Sequence, residues 1–142
     1  MRNGFSVIEL VVVMAIAALV SAIALPRFND LFDAIAADAA ARDVTTALAV
    51  ARNAAVLHGT RARLRISPDS LVIERDETGR WVDYARWPGP RSQGVTLTVS
   101  NDEVVFGATG MGWGPSNTKV VLQRGSHIET ITTSRVGRVK RW

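Results

Sequence analysis

Apolar and polar positions fall into three regimes along this chain. Residues 5–25 read FSVIELVVVMAIAALVSAIAL, a run of 21 residues with a single charge, Glu9. At ~1.5 Å of rise per residue, a helix of that length spans the ~30 Å hydrocarbon core of a bilayer. Residues 27–59 keep helical spacing but are amphipathic. Leu31, Ile35, Ala39, Val44, Leu48, Ala51 and Ala55 form a narrow stripe, and Asp30, Asp33, Asp38, Arg42, Asp43 and Arg52 fall mostly off it. The stripe is rich in alanine, which lets a sheet approach closely. Pro26 stands between the two stretches; lacking an N–H, it is expected to kink the helix. Gly59 is placed to end it.

From residue 60 the period becomes two. Residues 61–66 alternate, with Arg61, Arg63 and Arg65 on one face and apolar side chains on the other. Residues 67–70 (SPDS) read as a turn and 71–75 as the hairpin partner. Residues 81–87 form a further strand, ended by Pro88-Gly89-Pro90. Residues 95–100 and 103–106 are expected to pair as a hairpin about Asn101-Asp102. Residues 118–123, 128–134 and 138–142 supply the last three strands. The fold class is therefore α+β: a long N-terminal transmembrane-and-amphipathic helix packed on an antiparallel β-sheet head, residues 60–142.

Composition narrows the chemistry. At 142 residues the chain makes one modest core, and 47% apolar against 21% charged excludes a disordered tail. There is no cysteine, which excludes disulfides, thiolate metal sites and a cysteine nucleophile. His58 and His127 lack ligand-like spacing. Asp76-Glu77, near Asp69 and Glu74, lacks the calcium-loop spacing and reads as an acidic hairpin tip in water. Gly107, Gly110, Gly112 and Gly114 are followed by neither Lys-Ser/Thr nor a helix, so they read as a loop, with Met111 and Trp113 exposed in it. No serine sits in a nucleophile elbow. No catalytic residue, cofactor or metal is expected. The net charge of +4 arises in residues 119–142, with six basic residues and only Glu129 acidic, and 15 of the 17 basic residues are arginine. The Arg61, Arg63, Arg65 row reads as a solvated face or an edge-strand guard; the alternative is contact with acidic residues of a neighbouring subunit.

Glu9 is the anomaly, because a carboxylate in an apolar span usually has a partner and a purpose. Leu25-Pro26-Arg27 is a poor match to the small-residue site of an ordinary secretory signal, so the apolar run is expected to be retained. Gly4, Phe5 and Ser6-Val7-Ile8-Glu9-Leu10 closely resemble the class III signal of type IV pilins and type II secretion pseudopilins. The resemblance implies a cleaved leader, residues 1–4. A prepilin peptidase then cuts between Gly4 and Phe5 and N-methylates Phe5. It makes residues 5–26 the transmembrane and filament-core helix, residues 27–59 its amphipathic half, Glu9 the assembly glutamate and Pro26 the family's helix-kinking proline. The physics agrees. A buried carboxylate and a buried amine are tolerable as a pair. If Glu9 meets the Phe5 amine of the next subunit, the head-to-tail contact does not close and yields a helical filament.

Residues 47–55 (ALAVARNAA) also resemble the Ala-Leu-x-x-Ala-Arg-x-x-Ala segment of the GspH/FimT domain. Ile131-Thr132-Thr133-Ser134 and Gly137-Arg138-Val139-Lys140 resemble that domain's closing strand and Gly-Arg-Val-Arg/Lys. The aromatic segment usual after its first hairpin is blurred near residues 81–87. The resemblance implies a minor pilin or pseudopilin that initiates or caps a type IV pilus or a type II secretion pseudopilus. Its place is the bacterial inner membrane, single-pass, with the head in the periplasm. Its partners are prepilin peptidase, other pilins, an inner-membrane assembly platform and, before assembly, membrane lipid. The alternative is a DNA-binding minor pilin acting in DNA uptake, with Arg135, Arg138, Lys140 and Arg141 as the phosphate contacts. In a last strand Arg138 and Lys140 share one face, and Val139 and Arg141 the other. Trp142 is expected to pack on the sheet, with stacking on a base as the other reading.

Overall fold

The computed structural model describes residues 6–142. One helix, α1 (Val7–His58), precedes eight strands: β1 (Ala62–Ile66), β2 (Ser70–Glu77), β3 (Arg80–Pro88), β4 (Thr96–Val99), β5 (Glu103–Phe106), β6 (Thr118–Arg124), β7 (His127–Thr133) and β8 (Val139–Arg141). The chain divides into two compact units, Met1–Phe32 and Asp33–Trp142.

In the first unit every large apolar side chain from Val7 to Phe32 is exposed, Leu31 included. Ser21 Oγ donates to the Ala17 carbonyl at 2.8 Å, which satisfies the hydroxyl within the apolar helix itself. The helix continues through Pro26. By length and composition it can cross a membrane.

In the second unit α1 buries Ala37, Ala40, Ala41, Val44, Ala47, Leu48, Ala51, Ala54 and Ala55. Seven of these nine are alanine, so the sheets come close to the helix axis. The expected stripe holds from Val44 onward, but its start does not: Ile35 is 56% exposed. Helical spacing finds a face, but not how far along the helix that face is covered. The helix ends as its glycine requires. Gly59 sits at φ +62°. The Thr60 N–H donates to the Ala55 carbonyl at 3.2 Å and the Gly59 N–H to the Val56 carbonyl at 3.3 Å, closing a Schellman motif.

The strands form two four-stranded antiparallel sheets, ordered β3-β2-β1-β5 and β4-β6-β7-β8. The β1–β2 hairpin is the expected one, with Ile66 opposite Leu71. The expected β4–β5 hairpin is not formed: β4 pairs with β6 and β5 with β1. Asn101 holds this crossover between sheets. Its carbonyl accepts from Thr118 Oγ1 at 2.7 Å and its side-chain amide donates to the Pro115 carbonyl at 2.5 Å. The Ile66 N–H donates to the Asp102 carbonyl at 2.7 Å. Local turn chemistry is the same for a hairpin and a crossover, so the sequence pattern did not separate them.

One core joins the helix to the inner faces of both sheets. Leu48, Leu64, Leu71, Ile73, Phe106, Leu122 and Ile131 lie fully buried in it. β1 is an interior strand, which removes the edge-guard reading of its arginine row.

Candidate functional site

The processing residues Gly4 and Phe5 lie outside the described residues. Glu9 lies inside them, on the first turn of α1. Ser6 Oγ accepts the Ile8 N–H at 3.3 Å, and the Glu9 carboxylate accepts the Ser6 N–H at 3.4 Å. Ser6 and Glu9 thus form a capping box, which uses two of the helix's free N-terminal donors. A carboxylate in the first turn also suits the positive end of the helix dipole. The Ser-x-x-Glu spacing was visible in the sequence, and its capping role was missed there. Glu9 is exposed, and its described contact is this single long hydrogen bond.

The basic C-terminus divides in two. Arg141 is engaged: its Nε donates to Glu129 at 2.9 Å and its Nη2 bonds Asp38 on α1. The hydrogen bonds to Glu129 and Asp38 push the Arg141 pKa up, and the Arg141 hydrogen bond draws that of Asp38 below its ordinary 3.8. Its charge is therefore spent on α1 and β7. Arg135, Arg138 and Lys140 remain exposed. Arg138 and Lys140 line one shallow cleft with Thr132, Thr133 and Ser134. The turn before them is fixed by Gly137 at φ +74° and by the Ser134 N–H bond to the Arg138 carbonyl, 3.0 Å. Trp142 is 67% exposed rather than packed on the sheet, and Lys140 Nζ stands 3.3 Å from its ring centroid. An ammonium over an indole face is held by the ring quadrupole.

The arginine row of β1 finds its acids within the chain. Arg63 bonds Glu74 at 2.6 Å and Glu103 at 3.2 Å, and its guanidinium lies 4.4 Å from the Trp81 ring centroid. Arg61 pairs with Asp76 at 2.7 Å, and Arg65 lies 3.7 Å from Glu74. Glu74 is buried, so the acidic tip expected in water is partly roofed over. Cross-strand register explains this, since Arg63 faces Glu74 directly. Among the described residues no group of three or more histidines and carboxylates is placed to hold a metal ion.

Residues 1–25 match the prokaryotic N-terminal methylation motif. No curated protein matches. Two crystal structures of the type IV minor pilin FimU of Pseudomonas aeruginosa (strain PAO1) are similar to this chain. The one in space group P21 has a TM-score of 0.62 at 18% identity, covering 72% of this chain and 85% of FimU. The one in P65 has a TM-score of 0.62 at 16% identity, covering 74% and 91%. At those identities the likeness establishes the fold. With a methylation motif at its N-terminus, an apolar helix behind it and a head of the FimU fold, the chain is type IV pilin-like.

Proposed function

We propose that the chain is a minor subunit of a type IV pilus. It is cut between Gly4 and Phe5 by a prepilin peptidase, methylated on Phe5, held in the inner membrane by α1 and assembled through Glu9. The supporting observation is the exposed apolar face of α1 behind the methylation motif. Fifteen large apolar side chains between Val7 and Phe32 lie in the open, more than a lone water-soluble chain sustains. Bilayer covers them before assembly, and the helices of neighbouring subunits cover them afterwards. The FimU likeness favours a pilus over a secretion pseudopilus, and the GspH/FimT resemblance favours a minor over a major subunit. Intact-mass measurement of the membrane-extracted chain tests the first step. The mature form begins at methylated Phe5; a mass that keeps residues 1–4 with the peptidase present refutes it.

A second reading, DNA contact during uptake, draws support from Arg135, Arg138 and Lys140 standing exposed, with Lys140 beside the exposed Trp142 ring. Arg141 is left out of it. Binding of a labelled duplex should fall with salt by roughly one counterion per neutralised phosphate. It should vanish when Arg135, Arg138 and Lys140 become Gln. Equal binding by that variant, or none by the wild-type chain at low salt, ends this reading.

A further inference from the structure

The outer face of the second sheet carries charge of one sign only. Alternation along the strands sets its membership. Val120, Leu122 and Ile131 are buried in the core, so Lys119, Ile128, Thr130 and Thr132 point away from it. Register then lines these residues up. Lys119, Thr132 and Lys140 form one row across β6, β7 and β8. Thr130 and Trp142 stand in the next row and exchange both backbone N–H···O bonds, at 3.3 and 2.9 Å. The four strands hold a single side-chain carboxylate, Glu129. Alternation puts it on the inner face, where Arg141 takes it.

The outer face therefore has cations without acids. Lys119 and Lys140 are the two lysines of a chain that otherwise uses arginine. Two large apolar side chains stand in the open beside them, Ile128 at 57% exposure and Trp142 at 67%. At one edge, the shallow cleft of about 240 Å³ brings Arg138 next to Lys140 and Thr132.

We propose that this face docks on an anionic phospholipid surface. Trp142 and Ile128 sit at headgroup depth, and Lys119, Lys140 and Arg138 meet lipid phosphates. The proposal rests on α1 holding the chain in a membrane. A tryptophan flanked by lysines is the composition that settles at a membrane interface, with the indole among the headgroups and the ammonium groups reaching to water. A lipid surface is a diffuse array of charge. A lysine follows it with a point charge on a flexible stem and needs no bidentate geometry. Duplex DNA would offer phosphates to the cations but no apolar surface to Ile128, which favours lipid. Each cation adds only modest attraction to an anionic surface. The tether makes docking intramolecular, so a contact too weak to hold a free protein suffices.

The test uses the full chain in phosphatidylcholine vesicles, with and without phosphatidylglycerol, carrying brominated phosphatidylcholine as quencher. The four tryptophans, at 81, 87, 113 and 142, all lie outside the apolar run, so their emission reports the head. Quenching should be stronger with phosphatidylglycerol, and high salt should remove the excess. Trp142→Phe should abolish most of that excess. The Lys119→Gln, Lys140→Gln double variant should lower the ratio of docked to free heads by roughly tenfold or more. Arg86→Gln, which removes a cation from the other sheet, should behave as the wild type does. Circular dichroism confirms that each variant is folded, and flotation that it is inserted. A chain that fails to float defeats the anchoring reading, and this proposal with it. A chain that floats but is quenched equally in both vesicles overturns the docking alone. So does excess quenching that survives in Trp142→Phe, or an undiminished excess in the double lysine variant.

Discussion

The two halves of α1 share one helix and obey opposite rules. Between Val7 and Phe32 most apolar positions are filled by Val, Ile, Leu, Met and Phe, with five alanines among them, and all fifteen of the large side chains are exposed. Between Asp33 and His58 the buried positions are mostly alanine. Large side chains reach outward for partners the chain does not contain. Small ones let the chain's own sheets approach the helix. Residue size along a helix thus signals whether its covering is internal or external, where hydrophobicity alone does not.

The largest effect expected from breaking this contrast lies at Glu9. Glu9→Val removes the single charge from the apolar run of residues 5–25, so membrane insertion should persist or improve. Under the proposed pairing, incorporation into filaments should nevertheless collapse, because the Phe5 amine of the neighbour would lose its partner. Immunoblots of sheared filaments against membranes measure both, and normal incorporation of the variant would refute the pairing role. Next comes a matched pair. Leu48→Ala, at a fully buried position, should cost the head about 2–5 kcal/mol. Leu19→Ala, at a position 67% exposed, should leave head unfolding unchanged. Chemical denaturation of the two variants gives the difference directly. Ala51→Leu then tests the close approach from the other side: overpacking should cost about 1–3 kcal/mol.

Much of the fold was legible because its signals are local. The alternation of residues 61–66 and the turn at 67–70 gave β1 and β2, and Gly59 gave the end of α1. What escaped depends on distant partners. Asn101-Asp102 has the residues of a tight turn, yet Thr118 and Pro115 recruit Asn101 into a crossover. Arg141 reads as one of four cations in a cluster, yet Asp38, over a hundred residues earlier, holds it. Arg63 reads as solvated, and register places it between Glu74 and Glu103.

Smaller effects sharpen the picture within the head. The hydrogen bond from Arg141 holds the Asp38 carboxyl below its ordinary range, and that from Arg61, helped by the Gly79 N–H, holds Asp76 there too. A carboxyl lowered by folding contributes stability that is present above its unfolded value of 3.8 and is lost as the pH falls through the folded value. Thermal melts should therefore weaken below about pH 4, and the Asp38→Asn, Asp76→Asn double variant should show a flatter acid limb. A variant limb as steep as the wild type would count against these pairs. The smallest change is a gain. Thr78→Asn suits a left-handed turn position better and should raise head stability by about 1 kcal/mol, read as a melting shift of roughly 4 °C.

The crossover at Asn101 has a consequence for how the head comes together. Residues adjacent in sequence serve different sheets: β4 completes one and β5 the other. The sheet built from β1, β2 and β3 lacks its last strand until Phe106 has been made, and β5 must then return across some 40 residues to reach β1. The second sheet begins, at β4, before the first is finished. Neither sheet is a contiguous piece of chain, so neither is a module that can be cut out, exchanged or folded alone. The topology predicts that the head unfolds as a single cooperative unit, its assembly waiting on long-range closure.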